Sequence, residues 1–209
     1  MSELDNQAPG RHLDLGCGTK PRNPYGCSEL YGVDIRDGLS APGAVRIVAA
    51  NLCTAPIPFA DGFFDSVSAY DFLEHIPRTA LDYVQGITHF PFIELMNDVW
   101  RVLKPGGIFY AITPAYPHEK AFRDPTHVNV LAAKSYRYFA SPHLLGQMYG
   151  FTGEFQLIRQ VRINPRGDYE PQRASPARRV LRLLDGLVGR RSHLVWEMRA
   201  VKPDSRLTA

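Results

Sequence analysis

The stretch Arg11-His-Leu-Asp-Leu-Gly-Cys-Gly-Thr19, followed by Tyr31-Gly-Val-Asp-Ile35, decides the fold of this 209-residue chain. The leucines of the first piece predict a short buried strand that runs into a turn containing Gly16 and Gly18. The second piece predicts another short strand, which ends on the carboxylate of Asp34. A strand, a glycine turn and an acid at the tip of the next strand are the means by which α/β proteins hold a ribose-bearing cofactor.

The turn lacks one feature of a dinucleotide site. In Gly16-Cys-Gly-Thr-Lys-Pro21, proline stands where the dinucleotide fingerprint has its third glycine. A pyrophosphate needs close backbone approach and a helix N-terminus, but Pro21 and Pro24 predict a loop after the first strand. The turn therefore favours a cofactor with a ribose and no phosphates over NAD.

Composition and charge are those of an ordinary globular protein, with 44% hydrophobic residues, 22% charged residues and a net charge of +3. The length fits a single domain over residues 1–209. The three cysteines lack metal-ligand spacing, residues 1–9 carry no apolar signal segment, and no apolar run approaches the ~20 residues of a membrane span. These features predict a soluble cytoplasmic protein.

Short apolar segments alternate with connections, which predicts a doubly wound, Rossmann-like α/β fold with a seven-stranded mixed sheet. The strands predicted after the first are Leu30–Asp34, Val45–Val48, Phe63–Ala69, Ile108–Thr113, Glu154–Ile163 and His193–Val201. Helical spacing predicts a helix over Phe92–Leu103, and the last two strands are interpreted as an antiparallel hairpin. We divide the chain into a cofactor-binding core at 10–114, an insertion lid after strand 5 at 115–150, and C-terminal strands with an arginine-rich insertion at 151–209.

Asp14-Leu-Gly-Cys-Gly18 resembles motif I of the class I S-adenosylmethionine-dependent methyltransferases. Later pieces resemble that family in the same order, most closely its type 11 group, over residues 11–114. These pieces are Asp34, Asn51-Leu52, Pro58-Phe-Ala-Asp-Gly-Phe-Phe-Asp-Ser-Val67, Asp71-Phe-Leu-Glu-His-Ile76 and Val102-Leu-Lys-Pro-Gly-Gly107.

The resemblance implies S-adenosyl-L-methionine as the cofactor. Gly16 and Gly18 would let the backbone lie against the methionine moiety, Asp14 would meet its ammonium group, and Asp34 would accept from both ribose hydroxyls. The cofactor-binding residues that follow are Asp14, Gly16, Cys17, Gly18, Asp34, Asn51, Leu52, Tyr70 and Asp71.

The lid, defined as residues 115–150, is rich in aromatic residues and histidines and follows a strand whose carboxyl end faces the ligand edge of the sheet. We predict His127 as a general base, Asp124 as the carboxylate that orients it, and His75 as a second choice for the base. The alternative is that Asp124-Pro-Thr-His127 forms an Asx-type turn whose histidine only packs.

A metal site is a further alternative, although we assign no metal ligand from the sequence. Asp71, Glu74 and His75 lie close along the chain, and His118 or His127 could approach from the lid. Carboxylate and imidazole groups suit Mg, Mn or Zn when their geometry converges.

The segment from residue 159 to residue 191 contains nine arginines and only three acidic residues. The arginines are Arg159, Arg162, Arg166, Arg173, Arg178, Arg179, Arg182, Arg190 and Arg191. Such a segment can attract nucleic acid or an anionic membrane surface. We favour instead an amphipathic helix near Val180–Leu187 that packs its leucines on the sheet.

The sequence predicts an S-adenosylmethionine-dependent methyltransferase that acts on a hydroxyl or amine of a small molecule or sugar. The alternatives are a metal-assisted RNA methyltransferase, a NAD-binding oxidoreductase and a non-catalytic cofactor-binding protein. The oligomeric state stays open.

Overall fold

The computed structural model describes residues 8–43, 45–169, 176–187 and 189–203. The elements in chain order are β1 (Ala8–Leu15), β2 (Cys27–Asp34), β3 (Val45–Ala49), β4 (Phe64–Tyr70), β5 (Ala80–Asp82), β6 (Ile87–His89), α1 (Pro91–Val102), β7 (Leu103–Pro114), α2 (Lys120–Arg123), β8 (Phe155–Ile163), α3 (Pro165–Asp168), α4 (Pro176–Leu187) and β9 (His193–Ala200). Short 3-10 helices lie at Leu73–His75, Ser135–Tyr138 and Leu145–Tyr149.

Seven strands form one mixed sheet in the order β3-β2-β1-β4-β7-β9-β8. Neighbours from β3 to β7 are parallel, whereas β9 runs antiparallel to both β7 and β8. The predicted mixed sheet and the antiparallel pairing of its last two strands are confirmed. The strand order reverses between β1 and β4, so the carboxyl ends of these strands open a crevice of the kind that binds ligands in α/β proteins.

One face of the sheet is apolar and carries the main core. Leu13, Val67 and Phe109 point to this face and are fully buried. Met96 and Val99 of α1 are buried in the same cluster, so the helix covers this face with its apolar stripe.

The helix α1 begins with Pro91 in its first turn and ends where Leu103 becomes extended. The predicted helix is confirmed to within one residue at each end. The following strand starts earlier than predicted, because β7 already pairs Leu103 with Phe64 across an irregular register before the regular ladder begins at Ile108.

The opposite face carries buried polar groups covered by loops. No described residue between β1 and β4 lies in an α-helix, which confirms the loop predicted after β1 and leaves less helical cover than the doubly wound pattern suggests. Tyr25 from this loop donates to Glu197 of β9 at 3.0 Å. Polar contacts and a second, smaller apolar cluster around Tyr110 and Ile112 therefore take the place of a helix layer here.

His12 lies at the centre of this polar face, fully buried between two serines. Ser68 Oγ donates to Asp14 Oδ1 at 2.6 Å, so it accepts from His12 Nε2 at 2.8 Å. His12 Nδ1 then accepts from Ser66 Oγ at 2.7 Å. This directional chain of hydrogen bonds requires a neutral imidazole, and burial lowers the pKa of His12 to about 3.

The lid lies against the segment that follows β4. Val128 and Asn129 both donate their backbone N–H to the carbonyl oxygen of Glu74 at 2.9 Å. Within the lid, the backbone N–H of Tyr116 donates to the carbonyl oxygen of Leu131 at 2.9 Å.

A small hairpin of β5 and β6, which the sequence did not predict, precedes α1. Tyr83 in this hairpin is 87% exposed.

The helix α4 is present where a helical segment was predicted, but its predicted packing is wrong. The described apolar side chains of Val180, Leu181, Leu183, Leu184 and Leu187 are exposed by between 53% and 84%. Helical periodicity shows that a helix has one apolar face and does not show what that face contacts. These leucines consequently contribute little to the core.

The N-terminal segment 1–9 and the arginine-rich segment 159–191 fall partly outside the described residues, which do not include residues 1–7 or Arg173. Arg159 is not free in the basic segment, since its Nε donates to Glu197 at 3.0 Å. Within the described ranges, no helix has both the length and the apolar character needed to cross a membrane.

The buried His12 makes stability depend on pH. Its pKa is about 3 in the folded chain and about 6.5 when unfolded, so the unfolded chain takes up the proton first. The His12 contribution is present in full above the unfolded pKa and is lost as the pH falls toward 3. We expect the free energy of unfolding to fall by about 2 kcal/mol between pH 7 and pH 5 from this group.

Urea unfolding at both pH values measures this loss, with His12→Gln to remove the titration and His143→Gln as a matched change at an exposed histidine. The His143→Gln variant should lose as much stability as the wild type, and His12→Gln about 2 kcal/mol less. Equal losses in all three proteins would show that His12 is not the titrating group.

Candidate functional site

The glycine turn links the ends of β1 and β2. Gly16 and Gly18 have φ values of +65° and +58°, in the left-handed region that favours glycine. The backbone N–H groups of Gly16 and Cys17 both donate to the carbonyl oxygen of Val33, at 2.8 and 3.2 Å. The ring of Phe72 lies against Gly16, where a Cβ atom would come within 2.6 Å of it. The turn therefore needs glycine at position 16 for both backbone and contact reasons.

Asp34 is brought to this turn, as the sequence predicts for a ribose-binding acid. Its Oδ2 accepts from the backbone N–H of Gly18 at 2.9 Å, and its Oδ1 accepts from Nε of Arg36 at 2.9 Å. The hydrogen bond from Arg36 holds the pKa of Asp34 below its usual value despite partial burial. The carboxylate is thus ionised and able to accept two hydroxyl groups in place of the exposed Arg36 side chain.

Asp14 is buried beside the turn, and each of its carboxylate oxygens accepts a hydrogen bond. Ser68 donates to its Oδ1 at 2.6 Å, and the backbone N–H of Arg22 donates to its Oδ2 at 2.9 Å. The His12 chain described above therefore ends on Asp14 and fixes its orientation.

Asn51 and Leu52 follow β3 and differ in exposure. Asn51 is exposed and its Oδ1 accepts from the N–H of Cys53 at 3.1 Å, whereas the Leu52 side chain is buried in the core. A ligand beside this turn would meet the amide of Asn51 and only the backbone of Leu52.

The end of β4 is occupied by an aromatic and acidic cluster. The Tyr70 ring is buried, 5.1 Å from the ring of Tyr169, and the Arg22 guanidinium lies 4.3 Å from its centre. Asp71, with a φ of +48°, accepts from the Tyr169 hydroxyl and lies 3.2 Å from Nε2 of His193. Partial burial raises the pKa of Asp71, but the hydrogen bonds from His193 and Tyr169 outweigh it and hold that pKa below its usual value.

Sequence reasoning missed Tyr169 and His193 as neighbours of Asp71. Tyr169 is 98 residues away along the chain. His193 is placed here because it pairs with Pro114 where β9 runs antiparallel to β7. That pairing is the signal that could have located His193, since the first residue of an antiparallel strand lies beside the last residue of its partner.

The three predicted catalytic residues, His127, Asp124 and His75, lie close together in a cluster that also contains Glu74. His127 Nε2 lies 4.0 Å from Asp124 Oδ2 and 4.0 Å from Oε1 of Glu74. The rings of His75 and His127 meet edge to face at 5.0 Å. The predicted Asx turn is also present, because Asp124 Oδ1 accepts from the backbone N–H of Thr126 at 2.9 Å.

Glu74, which was not in the predicted catalytic set, is the most deeply buried member of this cluster. Its Oε2 accepts from Thr113 Oγ1 at 2.9 Å, while its Oε1 is buried without a hydrogen-bond partner. Burial raises the pKa of Glu74 to about 8. His118 is not part of the cluster; its Nδ1 accepts from the backbone N–H of Lys120 at 3.1 Å.

A cleft of about 670 Å³ opens between the lid, α1 and the segment before it. Its lining is largely aromatic and apolar, including Phe90, Phe92, Tyr138, Phe139 and Tyr149, with Arg78, Thr79 and Ser135 as polar groups. Arg78 also joins the cleft to the lid, because its Nε donates to Asn129 at 2.7 Å. Such a cleft suits a small molecule with an apolar or ring-shaped body.

A family model described as a methyltransferase domain matches residues 13–111. A demethylmenaquinone methyltransferase of Symbiobacterium thermophilum is 29% identical over an alignment of 134 positions, and the alignment covers 55% of this chain and 47% of that protein. The chain thus spans about half the length of the curated relative that it matches.

Solved structures of methyltransferases share the fold. An S-adenosylmethionine-dependent methyltransferase from Mesorhizobium loti is 15% identical, with a TM-score of 0.54 over 95% of this chain and 93% of that chain. Phosphoethanolamine N-methyltransferase 2 from Haemonchus contortus, solved with S-adenosyl-L-methionine, is 17% identical with a TM-score of 0.52, over 95% of this chain and 50% of that chain. At these identities the likeness concerns the fold.

The glycine turn gives a stability prediction. Gly16→Ala places a Cβ atom 2.6 Å from the Phe72 ring, whereas Gly18→Ala places it 3.4 Å from the exposed end of Arg36. Both changes strain a left-handed residue by about 1–2 kcal/mol, but only the first must also displace a packed ring. We expect Gly16→Ala to lower the free energy of unfolding more than Gly18→Ala, measured by urea denaturation. Equal losses would contradict the Phe72 contact.

Proposed function

We propose that this chain, which belongs to the class I S-adenosylmethionine-dependent methyltransferases, transfers the donor's methyl group to a hydroxyl or amine of a small molecule or sugar. The observation that carries the proposal is the pairing of the glycine turn with Asp34. Its carboxylate, held 2.9 Å from the N–H of Gly18, would accept from the two hydroxyls of a ribose. Asp14, on the neighbouring strand β1, would meet the donor's ammonium group.

The reaction is an in-line displacement at a sulfonium. An oxygen or nitrogen of the acceptor forms a bond to the methyl carbon while the carbon–sulfur bond breaks, and S-adenosylhomocysteine leaves. The enzyme chiefly has to position the acceptor and exclude water. The ring of Phe72 lies against Gly16 of the glycine turn, and Glu74 follows Phe72 by two residues along the chain.

The aromatic cleft under the lid is the proposed acceptor site. Its apolar lining would bury the body of a small molecule, and Arg78, Thr79 and Ser135 could orient polar substituents. A hydroxyl acceptor must also lose its proton, and the buried cluster of Glu74 and His127 is where the described residues offer groups for that chemistry.

The alternatives have weaker support. A NAD-binding oxidoreductase would use a helix N-terminus after the glycine turn, but the described connection from β1 to β2 contains no α-helix. A protein that binds the donor without turnover would share the Asp34 site, so only product formation separates it from the proposed enzyme.

Donor binding is the first test. Isothermal titration should show binding of S-adenosyl-L-methionine, and Asp34→Ala should weaken it by about 1–3 kcal/mol because the paired acceptor for the ribose is lost. Asp37→Ala, at an exposed acid of the following loop, serves as the matched control and should bind as the wild type does. Binding of NAD in place of the methyl donor would overturn the proposal.

Acceptor binding is tested at the cleft. A panel of hydroxyl- and amine-bearing small molecules, including sugars, is screened by release of S-adenosylhomocysteine. With the best acceptor, Tyr138→Ala should raise KM about 2- to 10-fold, the effect of about 0.5–1.5 kcal/mol for one aromatic contact. Tyr83→Ala on the exposed hairpin is the control. A KM that changes equally in both variants would move the acceptor away from the cleft.

A further inference from the structure

We propose that Glu74, His75 and His127 form a binding site for a divalent transition-metal ion such as Zn²⁺. One potential ligand atom from each of these residues lies within 4.8 Å of the others. The inference rests on the proposed function only for the use of the ion, since the site itself is argued from the side chains alone.

Glu74 is the anchoring ligand. Its side chain is 2% exposed, and Thr113 occupies only one of its two oxygens. The other oxygen, Oε1, lies 4.0 Å from His127 Nε2 and is buried with no hydrogen bond. A buried carboxylate oxygen without a partner is costly, and a cation at this position would satisfy it.

His75 is set in the tautomer that a metal ligand needs. Thr126 Oγ1 donates to Asp124 Oδ1 at 2.7 Å, so it can only accept from His75 Nδ1 at 3.0 Å. The proton of His75 therefore lies on Nδ1, and Nε2 keeps its lone pair. A hydrogen bond that fixes the remote ring nitrogen in this way is the usual support of a metal-binding histidine.

His127 completes the set. Its Nε2 is 4.0 Å from Glu74 Oε1, too far for a hydrogen bond, and its Nδ1 is buried without a partner. An ion with ligand bonds of about 2.1 Å in a tetrahedron spaces its ligand atoms by about 3.4 Å. The three ligand atoms lie within 4.8 Å of one another, so the side chains would have to move inward to reach this spacing.

The donor set selects the class of ion. Two imidazoles and one carboxylate favour Zn²⁺ and similar transition metals, whereas Mg²⁺ and Ca²⁺ prefer oxygen ligands throughout. Three protein ligands leave a coordination position open, as in catalytic zinc sites. Asp124 Oδ2, 4.0 Å from His127 Nε2, stands at the exposed side of the cluster.

The ion gives the cluster a defined use in methyl transfer. An acceptor hydroxyl that takes the open position would lose its proton to water more readily, because a bound cation lowers the pKa of a coordinated oxygen. The resulting alkoxide or phenolate oxygen then attacks the methyl carbon as the carbon–sulfur bond breaks. His127 acts here as a ligand instead of the general base that the sequence suggests.

The test is titration of the full chain, first treated with a chelator and then dialysed, with Zn²⁺ alone by calorimetry and with Co²⁺ by visible absorption. We expect one equivalent to bind, with Co²⁺ bands typical of imidazole and carboxylate ligands. His127→Gln and Glu74→Gln should weaken binding by about 100-fold or more, since losing even an outer partner of a metal ligand costs about 10- to 100-fold. His75→Gln, at a half-exposed position, repeats the test with less risk to folding.

His143→Gln, at an exposed histidine of the lid, is the matched control and should leave binding unchanged. The inference is overturned if the wild type shows no saturable Zn²⁺ binding, or if His143→Gln and His127→Gln lose it equally. Titration of the same chelator-treated protein with S-adenosyl-L-methionine keeps the two proposals apart. Donor binding without Zn²⁺ binding would remove the metal site and leave the proposed function intact.

Discussion

Glu74 ties the lid to the sheet with both its backbone and its side chain. Its backbone carbonyl oxygen accepts from two successive lid N–H groups, and its side chain is held in the interior by Thr113 of β7. Because the same residue bears the buried carboxylate of the polar cluster, the position of the lid and the geometry of the cluster cannot vary independently. The loop that carries His127 is thereby fixed against the end of β4, where the sheet opens.

The two faces of the sheet differ in what they bury: one buries the main apolar core, and the other buries a chain of hydrogen-bonded polar groups. The apolar face gathers α1 and most large hydrophobic side chains into one core, and supplies most of the stabilisation expected from burial. The opposite face contains a neutral histidine, serines and an acid joined in one direction by hydrogen bonds, which end on Asp14. These polar contacts from neighbouring strands therefore fix the orientation of Asp14.

The parts of the fold that depend on residues close together in the chain could be predicted from the sequence. The glycine turn, Asp34 and the α1 helix are encoded by residues close together in the chain, and each lies where it was expected. The partners of Asp71 could not be found this way, because Tyr169 and His193 arrive from the other end of the chain. The helix α4 shows a different limit: its apolar stripe was correctly read as helical, but a stripe carries no information about the surface that it meets.

Arg36 already occupies the carboxylate of Asp34, the residue that we propose as the ribose acceptor. Its guanidinium shares both oxygens of Asp34 in this structure, at 2.9 and 3.2 Å, and its side chain is 61% exposed. A ribose bound to Asp34 as we propose would compete with this internal cation for the carboxylate oxygens. Added salt, which screens the exposed ion pair, would reduce this competition, and an uncharged residue at position 36 would remove it.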